Sequence, residues 1–135
     1  MHNIDIASLL REALAYSGCT DQQIGSFDGH STIELEMNSL PSINIRVMEE
    51  GLWFWSPLIE ASDMLLAHRS EDLLRFLMEG FTFSRTEQLQ LVNTDGTLEV
   101  RVLMADSTHV SAESLADAIE AYLEALTTLC DIVNK

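Results

Sequence analysis

Basic residues are scarce in this sequence of 135 residues: seven Lys and Arg stand against 22 Asp and Glu, and the formal net charge is −15. All of the basic residues except Lys135 are Arg. Proteins bind nucleic acids and anionic membrane surfaces through Lys and Arg, so this charge argues against both as partners. A basic partner would be attracted, although solubility alone explains the same charge equally well.

Cysteine, proline and glycine are also few. Cys19 and Cys130 lie far apart and match no metal-binding or redox spacing, and free thiols suit a reducing compartment. Two prolines and six glycines beside 47% hydrophobic residues argue against disorder. We therefore expect one packed domain over residues 1–135, because a chain of this length buries about two-thirds of its unfolded surface.

No targeting or membrane-spanning segment is recognisable. Residues 1–17 contain Asp5 and Glu12 and lack a basic leading stretch, which argues against a secretory signal. No apolar run approaches the roughly 20 residues that cross a bilayer. The sequence therefore predicts a cytoplasmic protein without membrane insertion.

Catalytic and metal-binding patterns are missing as well. Asp28 and His30 are close together in a predicted loop, and Glu49-Glu50 is more typical of a solvated turn than of an acid–base pair. There is no glycine-rich phosphate loop and no nucleophile elbow. The sequence predicts a protein that is not an enzyme and binds no metal or cofactor. An enzyme with a deep polar pocket of converging carboxylates and His remains an alternative. The histidines are scattered without the spacing of metal ligands: His2, His30, His68 and His109.

Hydrophobic periodicity predicts a single α+β domain in the order α-β-β-β-α-β-β-α, with three helices on a five-stranded, mainly antiparallel sheet. Short connections at Leu40-Pro41-Ser42 and Glu49-Glu50-Gly51 favour an antiparallel meander for the first three strands. The predicted elements of this half are helix 1 from about Ile4 to Ser17, a strand from Thr32 to Met37, a strand carrying Ile43, Ile45 and Val47, and a strand from Leu52 to Leu58.

The second half continues with a helix between Asp63 and Glu79, whose apolar stripe is read as Leu65, Leu66, Leu73, Phe76 and Leu77. Strands from Gln88 to Val92 and from Leu98 to Leu103 flank an Asp95-Gly96 hairpin turn. The last helix runs from about Ser111 to Val133, and Ser111 is its predicted N-cap. Gaps of three and four residues form a continuous apolar seam along it: Leu115, Ile119, Tyr122, Leu126, Leu129 and Val133.

The third strand is unusual because it carries large apolar residues on both faces. Trp53 and Trp55 point to one side, while Leu52 and Phe54 point to the other. A strand that is covered on one face normally alternates between apolar and polar residues. The second apolar face is explained by a doubly covered strand, by burial in a dimer, or by a groove for an extended polypeptide.

The order of several short segments resembles the class I chaperones of type III secretion, particularly the InvB/SpaK branch. The resemblance covers nearly the whole chain and weakens after Asp95-Gly96. It is carried by Asn3-Ile4-Asp5, Leu9-Leu10-Arg11, Gly18-Cys19, Asp28-Gly29-His30-Ser31, Ile33, Leu35, Leu40-Pro41-Ser42-Ile43-Asn44-Ile45, Trp53, Trp55 and Met78-Glu79-Gly80.

The resemblance implies the same fold, a homodimer, and binding of N-terminal segments of secreted effector proteins in extended form, without nucleotide. The secretion ATPase or sorting platform is a further candidate partner. The second helix, through Leu73, Phe76 and Leu77, is the candidate dimer interface. The candidate partner contacts carried over from the family's first helix and sheet are Leu14, Ile33, Leu35, Ile45, Trp53, Phe54 and Trp55.

A second functional class stays open beside the chaperone. An acidic binding module that sequesters a regulator or a component of the secretion apparatus would use the same apolar surface. The sequence does not separate these two functions, because both require only an exposed apolar strand and a negative charge.

Overall fold

Three helices and a five-stranded antiparallel sheet make up the described part of the chain, which is residues 6–16 and 32–135 of a computed structural model. Their order is α-β-β-β-α-β-β-α, which confirms the predicted fold class. The elements are α1 (Ile6–Tyr16), β1 (Ile33–Leu35), β2 (Ile43–Met48), β3 (Gly51–Glu60), α2 (Asp63–Met78), β4 (Gln90–Thr94), β5 (Thr97–Leu103) and α3 (Ala112–Val133), with a short 3-10 helix at Asp106–His109 before α3.

Most predicted boundaries agree with these elements within two residues. The first predicted strand is longer than β1, because neither Thr32 nor Met37 belongs to the observed strand. The predicted third strand is shorter than β3, which pairs beyond a bulge between Pro57 and Ile59. The predicted ends of the first helix, Ile4 and Ser17, lie outside the described residues.

The sheet has the order β1-β2-β3-β5-β4, so the predicted meander of the first three strands is confirmed. The β4–β5 hairpin adds to the other side of β3 through β5. Its turn is the predicted Asp95-Gly96, where both residues have positive φ, as a two-residue hairpin turn of type I′ requires. The Asn93 Oδ1 atom accepts a hydrogen bond of 2.9 Å from the Gly96 N–H and closes this turn.

The core lies between one face of the sheet and the helices. Ile33 pairs with Ile45, Ile45 with Phe54, and Phe54 with Val102, and all four side chains of this row are buried. The helix α3 covers this row, and both α1 and α2 pack against α3. The predicted seam of α3, from Leu115 to Val133, is fully buried as expected.

Side-chain caps begin the two longer helices. The Ser111 hydroxyl accepts a hydrogen bond from the Ser114 N–H at 3.1 Å, and the Ser114 hydroxyl accepts one from the Ser111 N–H at 3.2 Å, which is a capping box. Ser62 caps α2 by accepting from the Leu65 N–H at 3.1 Å. The predicted N-cap of the last helix is therefore confirmed.

A buried polar contact joins the sheet to α3. Ser56 on β3 and Tyr122 on α3 share a hydrogen bond of 2.7 Å between their hydroxyls, and both residues are buried. The Tyr122 ring also meets the Phe54 ring edge-on, with centroids 5.4 Å apart. Burial raises the pKa of Tyr122 well above its ordinary value, so the phenol remains neutral.

We expect the replacement Tyr122→Phe to lower the free energy of unfolding by about 1–2 kcal/mol, because it leaves the buried Ser56 hydroxyl without a partner. Urea denaturation followed by circular dichroism measures this. Tyr16→Phe is the matched control, since Tyr16 is 69% exposed and its replacement should change stability by less than about 0.5 kcal/mol. Equal stability of Tyr122→Phe and wild type would show that the hydrogen bond contributes nothing.

Candidate functional site

The central strand β3 presents different side chains on its two faces. Leu52, Phe54 and Ser56 are buried against the helices, whereas Trp53 and Trp55 alternate with them and are half-buried on the opposite face. This confirms the predicted division of the strand. Neither tryptophan is completely covered, so within the described residues β3 is not a strand buried on both faces.

The strand register places an arginine beside each tryptophan. Trp53 pairs with Arg46 on β2 and with Leu103 on β5, while Trp55 pairs with Asn44 on β2 and Arg101 on β5. The Asn44 side-chain amide also donates to the backbone carbonyl of Trp55 at 3.4 Å. Cross-strand neighbours of this kind are close enough for their side chains to touch. The open face of the sheet thus combines apolar rings with guanidinium groups.

A hollow of about 220 Å³ lies on this face, and it is the centre of the candidate partner-binding surface. It is lined by Met48, Glu50, Trp53, Trp55 and Arg101. Its shape is shallow and its walls are mainly apolar, which suits a large apolar side chain of a partner better than a small polar substrate.

Polar contacts hold the rim of the hollow in place. The Trp53 Nε1–H donates to the Glu50 Oε1 atom at 3.0 Å, so the carboxylate of the exposed turn orients the indole. The Arg101 Nε–H donates to the Glu99 Oε1 atom at 2.7 Å, and Glu99 is buried. A charge-assisted bond of this length to a buried carboxylate makes Arg101 a firm part of the surface.

A second ion pair borders the surface where β2 turns into β3. Arg85 contacts Asp106 at 2.7 Å between Nη2 and Oδ1. Its guanidinium lies only 2.9 Å from where a Cβ atom of Gly51 would be, and Gly51 has a φ of +138°. A side chain at position 51 would therefore displace the end of the Arg85 side chain and strain the backbone of the turn.

Five of the seven predicted partner contacts lie in the core instead of on a surface. Leu14, Ile33, Leu35, Ile45 and Phe54 are each 8% exposed or less. For the four strand residues the physical reason is the alternation of the strands, which turns the row around Phe54 toward the helices, whereas Leu14 lies on the buried side of α1. Such side chains offer no surface to a partner in this conformation, and Trp53 and Trp55 are the two predicted contacts that do.

Sequence reasoning missed Arg46, Met48, Arg101 and Leu103 as parts of this surface. The available signal was the short Glu49-Glu50 turn, which pairs Met48 with Gly51 and so places Arg46 opposite Trp53. The β5 neighbours had no such signal, because β5 joins β3 only through the tertiary fold.

A further apolar surface lies on α2. Leu66, Leu74 and Met78 occupy one row of the helix at intervals of four or eight residues, and they are 43%, 59% and 71% exposed. Of the predicted dimer residues, Leu73 is buried, while Phe76 and Leu77 are half-buried and pack on the core. Leu65 and Leu66 were both predicted to belong to the stripe that packs on the core. Leu65 is buried there, whereas Leu66 is exposed.

Two further observations concern the described residues, 6–16 and 32–135. No three His, Cys, Asp or Glu side chains among them are grouped so as to hold a metal ion. No helix in this part of the chain is long and apolar enough to cross a membrane.

Comparison with known proteins gives both sequence and structural relatives. The SpaK surface presentation of antigens proteins of Salmonella typhimurium and Salmonella typhi are each 37% identical over 122 residues, which is 90% of this chain and 90% of theirs.

Two solved structures share the fold at low identity. A chain of the heterodimeric ExoU–SpcU complex from the type III secretion system of Pseudomonas aeruginosa superposes with a TM-score of 0.53 at 18% identity, covering 94% of this chain and 96% of that chain. A chain of the HopA1–SchA chaperone–effector complex superposes with a TM-score of 0.57 at 17% identity, covering 93% of each chain.

The family assignment follows from sequence. The family described as Invasion protein B matches residues 18–95, which is more than half of the chain. This match agrees with the SpaK relatives, which align with nearly the whole chain. The chain therefore belongs to the Invasion protein B family.

Proposed function

We propose that this chain is a type III secretion chaperone that binds N-terminal segments of effector proteins and holds them extended for export. The half-buried pair Trp53 and Trp55, on a sheet face left open by the described helices, is the observation that carries this proposal. The family membership and the fold shared with chains of the ExoU–SpcU and HopA1–SchA complexes support it. The role is one of binding without catalysis, in the cytoplasm, where effectors are synthesised.

The energetics of holding a chain extended require a large contact. Ordering the backbone costs roughly 1–2 kcal/mol per residue, and apolar burial returns about 25 cal/mol per Å². Each ordered residue therefore needs about 40–80 Å² of buried apolar surface to offset the free-energy cost of ordering its backbone. The hollow at Trp53 and Trp55 can anchor one part of the segment, but a long segment needs several such contacts.

A homodimer supplies more contacts, because it doubles each surface. The exposed row of α2, formed by Leu66, Leu74 and Met78, supports dimerisation through this helix. The predicted interface residue Leu77 adjoins this row, whereas Leu73 is covered within its own chain. The secretion ATPase or sorting platform would then receive the loaded dimer.

The effector proteins that the chain binds, here called its clients, are identified by capturing proteins from the native host with the tagged full chain. The capture is done under secretion-inducing conditions and the bound proteins are identified by mass spectrometry. We expect captured proteins to lose binding when their first hundred or so residues are deleted, because the bound segment is N-terminal. Capture of a transcription regulator alone would instead support sequestration. Absence of any specific partner for a folded bait would contradict both functions.

The double replacement Trp53→Ala and Trp55→Ala should weaken client binding at least tenfold, since buried Trp side chains are frequent hot spots in interfaces. Isothermal titration calorimetry with a captured client segment measures the affinity. The double replacement by Phe should retain most of it, and Val110→Ala, at another exposed apolar residue, should have no effect. Unchanged affinity in a folded Ala variant would remove the two tryptophans from the site.

The replacement Leu74→Glu should convert the dimer to a monomer, because it places a charge in the apolar row of α2. Sedimentation velocity at micromolar concentration measures the mass. Val110→Glu is the matched control, since Val110 is 76% exposed and lies outside α2. If the wild type is monomeric, or if Leu74→Glu remains dimeric, the proposed interface is wrong.

A further inference from the structure

Arginines lie close to the two tryptophans. Only seven residues of the chain are basic, yet Arg46 and Arg101 flank the pair in the strand register and Arg85 borders the turn next to it. The chain as a whole has a net charge of −15. The surface proposed to bind clients therefore holds arginines next to the carboxylates of Glu50 and Glu99.

Most of the arginines are already engaged within the chain. Arg101 bonds to Glu99, Arg85 to Asp106 and Arg75 to Glu71, and Arg69 donates to the Lys135 carbonyl. Three of these four guanidinium groups thus have a carboxylate partner, and the fourth, Arg69, is bonded to a backbone carbonyl.

Arg46 differs from these arginines. It is exposed, and no carboxylate in the described ranges, 6–16 and 32–135, lies within ion-pair distance of it. The nearby Glu50 carboxylate is bonded to the Trp53 indole instead. In a chain with 22 acidic residues, an arginine left unpaired next to an apolar hollow is a charge available to a partner.

The geometry of strands sets where a partner's charge would lie. Arg46 is directly across from Trp53 on the neighbouring strand, and adjacent strands are about 4.8 Å apart. In an extended partner segment, residues i and i+2 project to the same side about 7 Å apart. A residue two positions from an apolar anchor seated in the hollow is therefore within reach of the long Arg46 side chain.

We propose that the client segment seated over Trp53 and Trp55 carries Asp or Glu two positions from its apolar anchor, and that this carboxylate pairs with Arg46. This rests on the proposed function, because it takes the tryptophan surface to be the client site. It reverses, for this one surface, the expectation from net charge that a partner should be basic. The apolar hollow alone would accept many sequences in many registers. A guanidinium–carboxylate pair next to the apolar anchor would fix which residues of the client segment lie over the two tryptophans.

A random library of 12-residue peptides displayed on phage tests this proposal without a known client. The immobilised full chain is used as wild type and as the variants Arg46→Glu, Arg75→Glu and Trp53→Ala/Trp55→Ala. Arg46→Glu and Arg75→Glu change the net charge by the same two units, so Arg75→Glu controls for overall repulsion. Arg75 is exposed on α2, away from the sheet.

We expect wild type and Arg75→Glu to select peptides with a large apolar residue and a nearby Asp or Glu, whereas Arg46→Glu should select Lys or Arg at that place. Selected peptides that lack Trp can then be titrated by fluorescence, since both tryptophans of the chain lie in the surface. Arg46→Glu should raise the Kd of an acidic peptide about tenfold, and Arg75→Glu should change it less than about twofold.

The contrary outcomes separate the two proposals. Peptides that depend on Trp53 and Trp55 but show no acidic preference, or none that Arg46→Glu alters, would overturn the pairing and leave the client surface standing. Acidic peptides that still bind the Trp53→Ala/Trp55→Ala variant would place the site elsewhere and overturn both. Failure of the wild type to enrich any peptide would also count against the pairing.

Discussion

The packing of β3 against α3 is the contact on which the other described elements depend. β3 is the central strand and pairs with β2 on one side and β5 on the other, and its inner face meets α3 through Phe54, Ser56 and Tyr122. The Ser56–Tyr122 hydrogen bond permits one depth and one rotation of the helix, because a buried hydroxyl without a partner is costly. Once α3 is seated, α1 and α2 pack against it on the same side of the sheet.

This arrangement leaves the opposite face of the sheet uncovered by the described helices. Since the strand period is two, a residue that belongs to the core forces its neighbours outward, and burying Phe54 places Trp53 and Trp55 on the open side. Large apolar side chains are retained there instead of the usual polar ones, and hydrogen bonds from Trp53 to Glu50 and from Arg101 to Glu99 organise the rim. A firm apolar surface suits partners of varied sequence, because shallow apolar contacts discriminate weakly.

The net charge of the chain and the charges next to the hollow act over different distances. The net charge of −15 favours solubility and sets long-range steering, which is screened beyond about 8 Å at physiological salt. Contacts within the hollow are shorter than that distance, so they are governed by the residues that line it, among them Arg101, and by its neighbour Arg46. Composition is therefore a poor guide to what binds at one surface, and strand register is a better one.

The sequence by itself determined the order of the elements, the buried seam of α3, its Ser111 cap, the Asp95-Gly96 turn and the division of β3 into two apolar faces. These features are local, since each depends on residues a few positions apart. Tertiary structure alone decided that β5 lies beside β3, that Ile33, Ile45 and Phe54 belong to the core, and that Arg101 lies beside Trp55. Pairing of distant strands and the side on which the helices pack arise from long-range contacts, and hydrophobic periodicity contains no information about which apolar face the helices will cover.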